Sequence, residues 1–382
     1  GSFTPRATTV DEEGVLIDNL QLVKAGFFQE EALRRTLLDH PYPVRNVEQN
    51  IADLKAQIAA NEKGAAELAK MIHQFTLPVV EAYMRHVQDN AEESVRRFIS
   101  ALTDCEFTYP TDQGSIIKVK ISVDHAKREA TLDFTGTSSM QKNNFNAPEP
   151  VTRAAILYVF RVMCEAPIPM NAGCLKPIHI IIPDGSMLKP HYPAAVVAGN
   201  TETSQHVTNA LFGALGAIAC SQGTMNNLTY GNQTYQNYET ICGGNGAGRK
   251  NDGSGFNGST AVHIHMTNTR LTDPEVLEFR FPVVLEEFSI RRGSGGKGRY
   301  AGGDGTRRCL RFLEPMECAL VSSHRIIAPH GLAGGGSGEC GSFSIRHANG
   351  SETPLKGCDQ TSVKEGETII LTTPSGGAYG AA

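Results

Sequence analysis

Apolar residues change their spacing along this chain, and each spacing predicts a different element. Between Val47 and Leu102 they recur at helical intervals in a background of Ala, Glu, Gln, Lys and Arg. Ile51, Leu54, Ile58, Ala65, Leu68, Ile72 and Phe75 form one stripe, preceded by Asn46 and Gln49 in the form of a capping box. Val80, Tyr83, Met84, Val87, Val95, Phe98 and Ile99 form a second. The break at Thr76 to Pro78 is short, which predicts an antiparallel helical hairpin. A polar row, Asn50, Asp53, Gln57 and Asn61, runs beside the first stripe and reads as a solvated flank or as a cavity wall.

From Cys105 to Phe134 the period falls to two, as in Ile117, Val119 and Ile121, with a turn at Asp124 to Arg128. A helix is predicted from Thr152 to Cys164, strands at Ile178 to Ile182 and Ala194 to Ala198, and a helix from Glu202 to Cys220. Val207, Leu211, Leu215 and Ile218 give that last helix a buried face. Beyond Gly223 come Gly, Asn, Thr and short apolar strands, and beyond Arg291 the pattern is β-rich with glycine turns. The predicted fold class is α+β: an extended arm at 1–42, the hairpin at 43–104 packed on a mixed α/β core at 105–290, and a β-rich region at 291–382.

A length of 382 residues suits two or three packed units, and 40% hydrophobic with 20% charged residues is an ordinary globular balance. No apolar run reaches the ~20 residues of a spanning helix, and the start lacks a secretory layout, so a soluble chain without a membrane role is expected. The nine cysteines are scattered, odd in number and free of any C-x-x-C pair, which suits reduced thiols in a cytoplasmic setting. A formal charge of −5 provides no basis for nucleic-acid binding and leaves small molecules and protein partners as the expected ligands.

Several segments are candidates for chemistry. V-V-A-G-N-T-E-T-S, from Val196, puts Asn200, Thr201, Glu202 and Thr203 where a strand gives way to a helix N-terminus, a place for an anion or simply for capping. Thr224, Asn226, Asn227, Asn232, Gln233, Asn237 and Glu239 crowd together with few charges, as loop stitching or as a polar pocket. C-G-G-N-G-A-G, from Cys242, reads as an anion nest or a flexible turn. It is no Walker loop, because Asn251 follows Lys250. His263 and His265 would face one side of a strand, but no third ligand is adjacent, so no metal is assigned. The basic run Arg291 to Arg308 reads as a phosphate grip or as tight turns with solvated charges.

Read together, these segments resemble the hydantoinase B family, which also forms the C-terminal half of 5-oxoprolinase and is similar to the α subunit of acetone carboxylase. The matching strings include D-E-E-G-V-L-I-D-N from Asp11, D-L-K-A-Q-I-A-A-N from Asp53, Y-M-R-H-V-Q-D-N-A-E from Tyr83, D-F-T-G-T-S from Asp133 and N-A-P from Asn146. They continue with V-V-A-G-N-T-E-T-S-Q from Val196, Q-G-T-M-N-N-L from Gln222, H-M-T-N-T-R-L-T-D-P-E from His265 and R-R-G-S-G-G-K-G-R from Arg291. In the family a His- and Asp-rich segment of the type G-H-H-A-D-I-G-G, which resembles a metal site, precedes this region. The expectation is therefore a C-terminal portion whose divalent metal would sit upstream.

The resemblance implies ATP-dependent hydrolysis of a five-membered cyclic amide, 5-oxoproline or a hydantoin, with ATP and Mg held mainly by a hydantoinase A-type subunit or domain in a hetero-oligomer. The alternatives are a non-catalytic scaffold for that partner and a subunit of an ATP-dependent ketone carboxylase. On residue type and clustering, Glu202, Glu239 and His263 are the candidates for proton transfer, and Asn200, Thr203, Asn226, Asn227 and Asn268 for donors to substrate. His265 would line the substrate, and Arg270 would pair with its carboxylate or phosphate.

Overall fold

The computed structural model describes residues 4–164 and 167–382; the first three residues of the predicted arm lie outside them. Within that arm, strands β1 (Val23–Lys24) and β2 (Phe27–Phe28) pair, and Glu30–Leu38 forms helix α1. Leu33 and Leu37, one turn apart, pack on Ile51 together with Val15, Leu20 and Phe28. Glu30 with Arg34 and Glu31 with Arg35 add i,i+4 pairs, and Arg34 reaches across to Glu48 at 2.7 Å. The arm is thereby fastened to the base of the hairpin.

Helices α2 (Val47–Phe75) and α3 (Leu77–Ser100) form the predicted hairpin, broken at Thr76, whose φ of +70° ends the first helix. Asn46 accepts the Gln49 N–H at 3.1 Å, but the Gln49 amide turns forward to Asp53, so only half of the capping box forms. The stripes pack less than their periodicity suggested. Ile51 is buried in α2, and Val80, Ala91, Val95 and Ile99 in α3, while Leu68, Met71, Phe75, Tyr83 and Met84 stay exposed. Only the last turns of α3 have a sheet beneath them. The polar row at Asn50, Asp53, Gln57 and Asn61 is a solvated flank. Among the described residues no helix is long and apolar enough to cross a membrane.

Strands β3 (Cys105–Pro110), β4 (Ile116–Asp124), β5 (Glu129–Asp133) and β6 (Ile178–Ile181) make a sheet in that order, antiparallel except for the β5–β6 pair. The parallel pair requires a long crossover, which contains α4 (Glu149–Val162). Alternation along β4 sends Ile117, Val119 and Ile121 into a core shared with Val95 and Ile99 of α3, Ile156 and Phe160 of α4, and Val207 and Leu211 of α5 (Ser204–Ala214).

The second half is a sandwich of antiparallel sheets. Strands β7 (Asn227–Gly231) and β8 (Gln236–Glu239) are followed by a small pair, β9 (Gly248–Arg249) and β10 (Gly255–Phe256), and by helix α6 (Pro274–Arg280). Then come β11 (Val283–Ile290), β12 (Thr306–Phe312), β13 (Met316–Val321), β14 (Ser342–Arg346), β15 (Glu352–Leu355), β16 (Cys358–Val363) and β17 (Thr368–Thr372). One sheet runs β16-β13-β7-β8 and the other β11-β12-β17-β14-β15, enclosing Tyr230, Leu310, Phe312, Leu320, Phe343 and Leu371. The expected boundary at 290/291 is crossed by β7, β8 and β11, because strand pairing is non-local. The sandwich begins at Asn227, and the site described next lies where it meets α5.

Candidate active site

Helix α5 is buried on every side. Val207, Ala210, Leu211 and Ala214 enter the first core. Gln205, His206 and Asn209, with Glu202 one turn earlier, fall at i, i+3, i+4 and i+7 positions and so share the other face. A polar face normally meets water. Here it meets Ser221 to Asn227, the segment leading into β7, and Ser323 to Arg325, just after β13.

Glu202 has no exposed surface. Its Oε1 accepts from the Thr224 hydroxyl at 2.9 Å, the Met225 N–H at 3.0 Å and the Asn227 amide at 2.7 Å, while Oε2 is buried with no partner. Burial pushes its pKa up to about 7, against the pull of the Met225 N–H, the Ser323 and Thr224 hydroxyls and the Arg325 charge. The His206 Nε2 lies 2.9 Å from the Ser323 hydroxyl, and its ring stacks on Tyr109. Tyr109 in turn meets the His324 Nε2 at 2.5 Å.

Several other titratable groups here keep one state around neutrality. Burial holds His206 down to about 3, and His265 and His330 down to about 4, so all three are neutral imidazoles. It pushes the Cys220 thiol up to about 12 and Tyr109 well above its ordinary value. Glu202, by contrast, is poised to change charge near pH 7. Buried atoms without partners also gather on this face: Gln205 Oε1, His206 Nδ1, Asn209 Nδ2, Gln222 Nε2 and Arg325 Nε. Each such atom costs about 1–3 kcal/mol if nothing meets it, so this face carries unmet polar capacity.

The structure brings some of the sequence candidates together. Glu202, Asn226 and Asn227 converge, with the Asn226 amide spanning Gln222 and the Ile241 carbonyl, both at 2.9 Å. His265 joins through Ser221, whose hydroxyl lies 2.9 Å from its Nε2. The expected strand for the two histidines is absent: only Val262 makes an isolated bridge, and His265 has a φ of +56°, so the pair shares no strand face. His263 lies 3.5 Å from the Thr269 hydroxyl, while Asn268 and Arg270 are solvent-exposed.

Glu239 does not reach this face. Both its oxygens are taken by Arg308, at 2.8 and 3.1 Å, and both side chains are buried. The rest of the polar cluster stitches the β7–β8 hairpin, as where Asn232 accepts the Thr234 and Tyr235 N–H groups at 2.9 Å.

The expected strand at Ala194 to Ala198 is also absent. Ala194 bridges Thr9, and residues 199–203 form a π-helical turn leading into α5. The helix entrance already has an anion, because the Glu13 carboxylate accepts the Val196 and Val197 N–H groups at 2.8–3.0 Å. Asn200 is exposed there, and the Thr203 hydroxyl is spent on the Phe145 carbonyl at 2.5 Å. Glu13→Ala should therefore lower unfolding free energy by about 1–2 kcal/mol in urea titration.

The glycine loops are packed against one another. A Cβ on Gly244 would stand 2.0 Å from the Gly303 carbonyl, and one on Gly376 1.9 Å from that of Asn245. Their N–H groups close the seam: Gly303 donates to Asn245, Gly376 to Gly303 and Ala247 to Gly377, at 2.8–2.9 Å. These loops leave no cradle for a nucleotide phosphate. Among the described residues no group of three His, Cys, Asp or Glu stands ready to hold a metal ion.

Sequence reading missed Gln205, His206, Asn209, Gln222, Ser323 and Arg325. The spacing of Glu202, Gln205, His206 and Asn209 was the available signal, since a polar stripe of that period beside an apolar one defines a second face.

The Hydantoinase B/oxoprolinase family model matches residues 1–382. Over the whole chain, 5-oxoprolinase of Dictyostelium discoideum is 43% identical and 5-oxoprolinase 1 of Arabidopsis thaliana 42%, with the chain covering 30% and 32% of them. The chain thus spans about a third of the length of these curated relatives. The crystal structure of ATP-dependent caprolactamase from Pseudomonas jessenii superposes with a TM-score of 0.82 at 21% identity, covering 99% of this chain and 69% of that one. Nucleotide-free acetone carboxylase gives 0.82 at 15%, covering 100% and 58%. Both share the α+β fold described above. With a family match along its full length, the chain belongs to the hydantoinase B/oxoprolinase family.

Proposed function

We propose that this chain supplies the ring-opening chamber of an ATP-dependent cyclic-amide hydrolase, acting on 5-oxoproline or a hydantoin, with Glu202 as the proton-transfer group. The observation that carries the reading is Glu202 itself: a buried carboxyl titrating near neutrality, one oxygen fixed by three donors and the other unpartnered. Relatives named 5-oxoprolinase support the substrate class, as does a putative D-/L-hydantoinase component from a Pseudomonas strain, 28% identical over 86% of this chain.

Amide resonance makes a lactam carbonyl a poor electrophile. ATP with Mg, held by a hydantoinase A-type partner in a hetero-oligomer, would phosphorylate the carbonyl oxygen and remove that resonance. In this chain, ionised Glu202 takes a proton from the attacking water and gives it to the ring nitrogen as the C–N bond breaks; the acyl phosphate so formed is hydrolysed by a second water to the ring-opened acid and inorganic phosphate. The Gln222 amide, a buried donor without an acceptor, suits the oxygen of the tetrahedral centre. Thr224, Met225 and Asn227 keep the carboxyl in place, and His265 closes the adjacent wall through Ser221. All nine cysteines are free thiols, in keeping with a cytoplasmic enzyme.

The test is to assemble the chain with an A-type partner and measure ring opening of 5-oxoproline, hydantoin and N-methylhydantoin with and without ATP. ATP-dependent opening of at least one is expected. ATP hydrolysis with every ring left intact would contradict the reading, and bicarbonate-dependent consumption of acetone would replace it with ketone carboxylation.

A further inference from the structure

We infer that Arg325 is the carboxylate-binding residue of the chamber, receiving the acid group that a substrate such as 5-oxoproline carries on its lactam ring; this rests on the lactam reading above. A guanidinium has five N–H donors in a rigid fork. Two are used here, by the Ser323 carbonyl at 2.8 Å and the Asn226 side-chain oxygen at 2.7 Å. The Nε is buried without an acceptor. Among the described residues Arg325 forms no ion pair, although its charge is near enough to Glu202 to perturb it. Burial lowers its pKa to about 10, which leaves it charged at neutral pH.

The surroundings hold this cation in place without neutralising it. Asp112 accepts the N–H groups of Arg325, Ile326 and Ile327, at 2.6, 3.3 and 2.9 Å, so its carboxylate fixes the backbone and not the guanidinium. Two glycines make room for the arginine side chain itself. A Cβ on Gly341 would stand 2.5 Å from the Arg325 Nη1, and one on Gly357 2.7 Å from its Cγ. Asn226, which braces the fork, keeps a φ of +47°. A fixed, charged and unpaired fork beside a proton-transfer carboxyl matches a planar carboxylate in two contacts. Glu202 would then face the ring carbonyl while Arg325 holds the ring substituent.

The assembled enzyme is titrated calorimetrically, without ATP, using 5-oxoproline, 2-pyrrolidinone (the same ring without its carboxylate) and inorganic phosphate. Arg325→Gln is expected to weaken 5-oxoproline on the order of 100-fold and leave 2-pyrrolidinone within about twofold. Gly357→Ala, which keeps the arginine but crowds its stem, should weaken 5-oxoproline about tenfold. Unfolding midpoints of both variants report folding. Equal losses for the two lactams, no wild-type preference for 5-oxoproline, or phosphate binding that falls in step with 5-oxoproline would each overturn the assignment. Carboxylate-selective binding without ATP-driven ring opening would keep this inference and remove the reading beneath it, and ring opening without selectivity would do the reverse.

Discussion

Glu202→Gln is expected to slow ring opening by about 10²–10⁴-fold in the assembled enzyme while the chain remains folded. Glutamine keeps the shape and keeps an oxygen for Thr224, Met225 and Asn227, so the loss isolates the ionisable proton. The same substitution has a stability signature of fixed sign. Burial raises the folded pKa of Glu202 from 4.5 to about 7. The protonated form is the one the fold favours, so its stabilisation is complete below the unfolded pKa and is lost as pH rises through the folded one. Wild-type stability should therefore fall relative to Glu202→Gln between about pH 4.5 and 7, by about 3 kcal/mol in all. Urea titrations across that range measure it, and parallel curves would show that the carboxyl is not buried in this way.

Glu239→Ala is expected to cost about 3–5 kcal/mol of stability, because it strands Arg308 inside the sandwich. The two side chains are each 2% exposed and bonded at two points, and the guanidinium also lies 5.2 Å from the centre of the Phe288 ring. Replacing both partners at once, as in Glu239→Leu with Arg308→Met, removes the stranded charge and should restore most of the loss. Turnover per folded molecule should stay near wild type in the double variant. A large drop in turnover with unchanged stability would instead give Glu239 a part in the chemistry.

The comparison of these two glutamates shows what the sequence could reveal. Both stand in segments rich in Asn and Thr, and residue type alone made them equal candidates. What separates them is the partner: Arg308 lies 69 residues along the chain and reaches Glu239 only through the sandwich, whereas Thr224, Met225 and Asn227 come from the segment that follows α5, 22 to 25 residues beyond Glu202. The hairpin was legible because helical periodicity is local. Its exposure was not, since that depends on how far the sheet extends beneath α3. The apolar face of α5 was legible at Val207 and Leu211, although the helix ends at Ala214 and leaves the expected Leu215 and Ile218 outside it, but its polar face reads by default as solvated. Only the packing of the sandwich against it makes those positions interior. The histidine pair failed for a local reason: two residues apart means one face only if the backbone is extended, and His265 is not.

The most direct measurement is a crystal structure of the assembled enzyme soaked with 5-oxoproline. The ring is expected within about 3 Å of the Glu202 Oε2, the reach of a hydrogen bond, with its carboxylate on Arg325. A ring seated away from α5, for instance in the open depression of about 660 Å³ between Arg45, Gly231 and Met316, with Glu202 untouched, would contradict it.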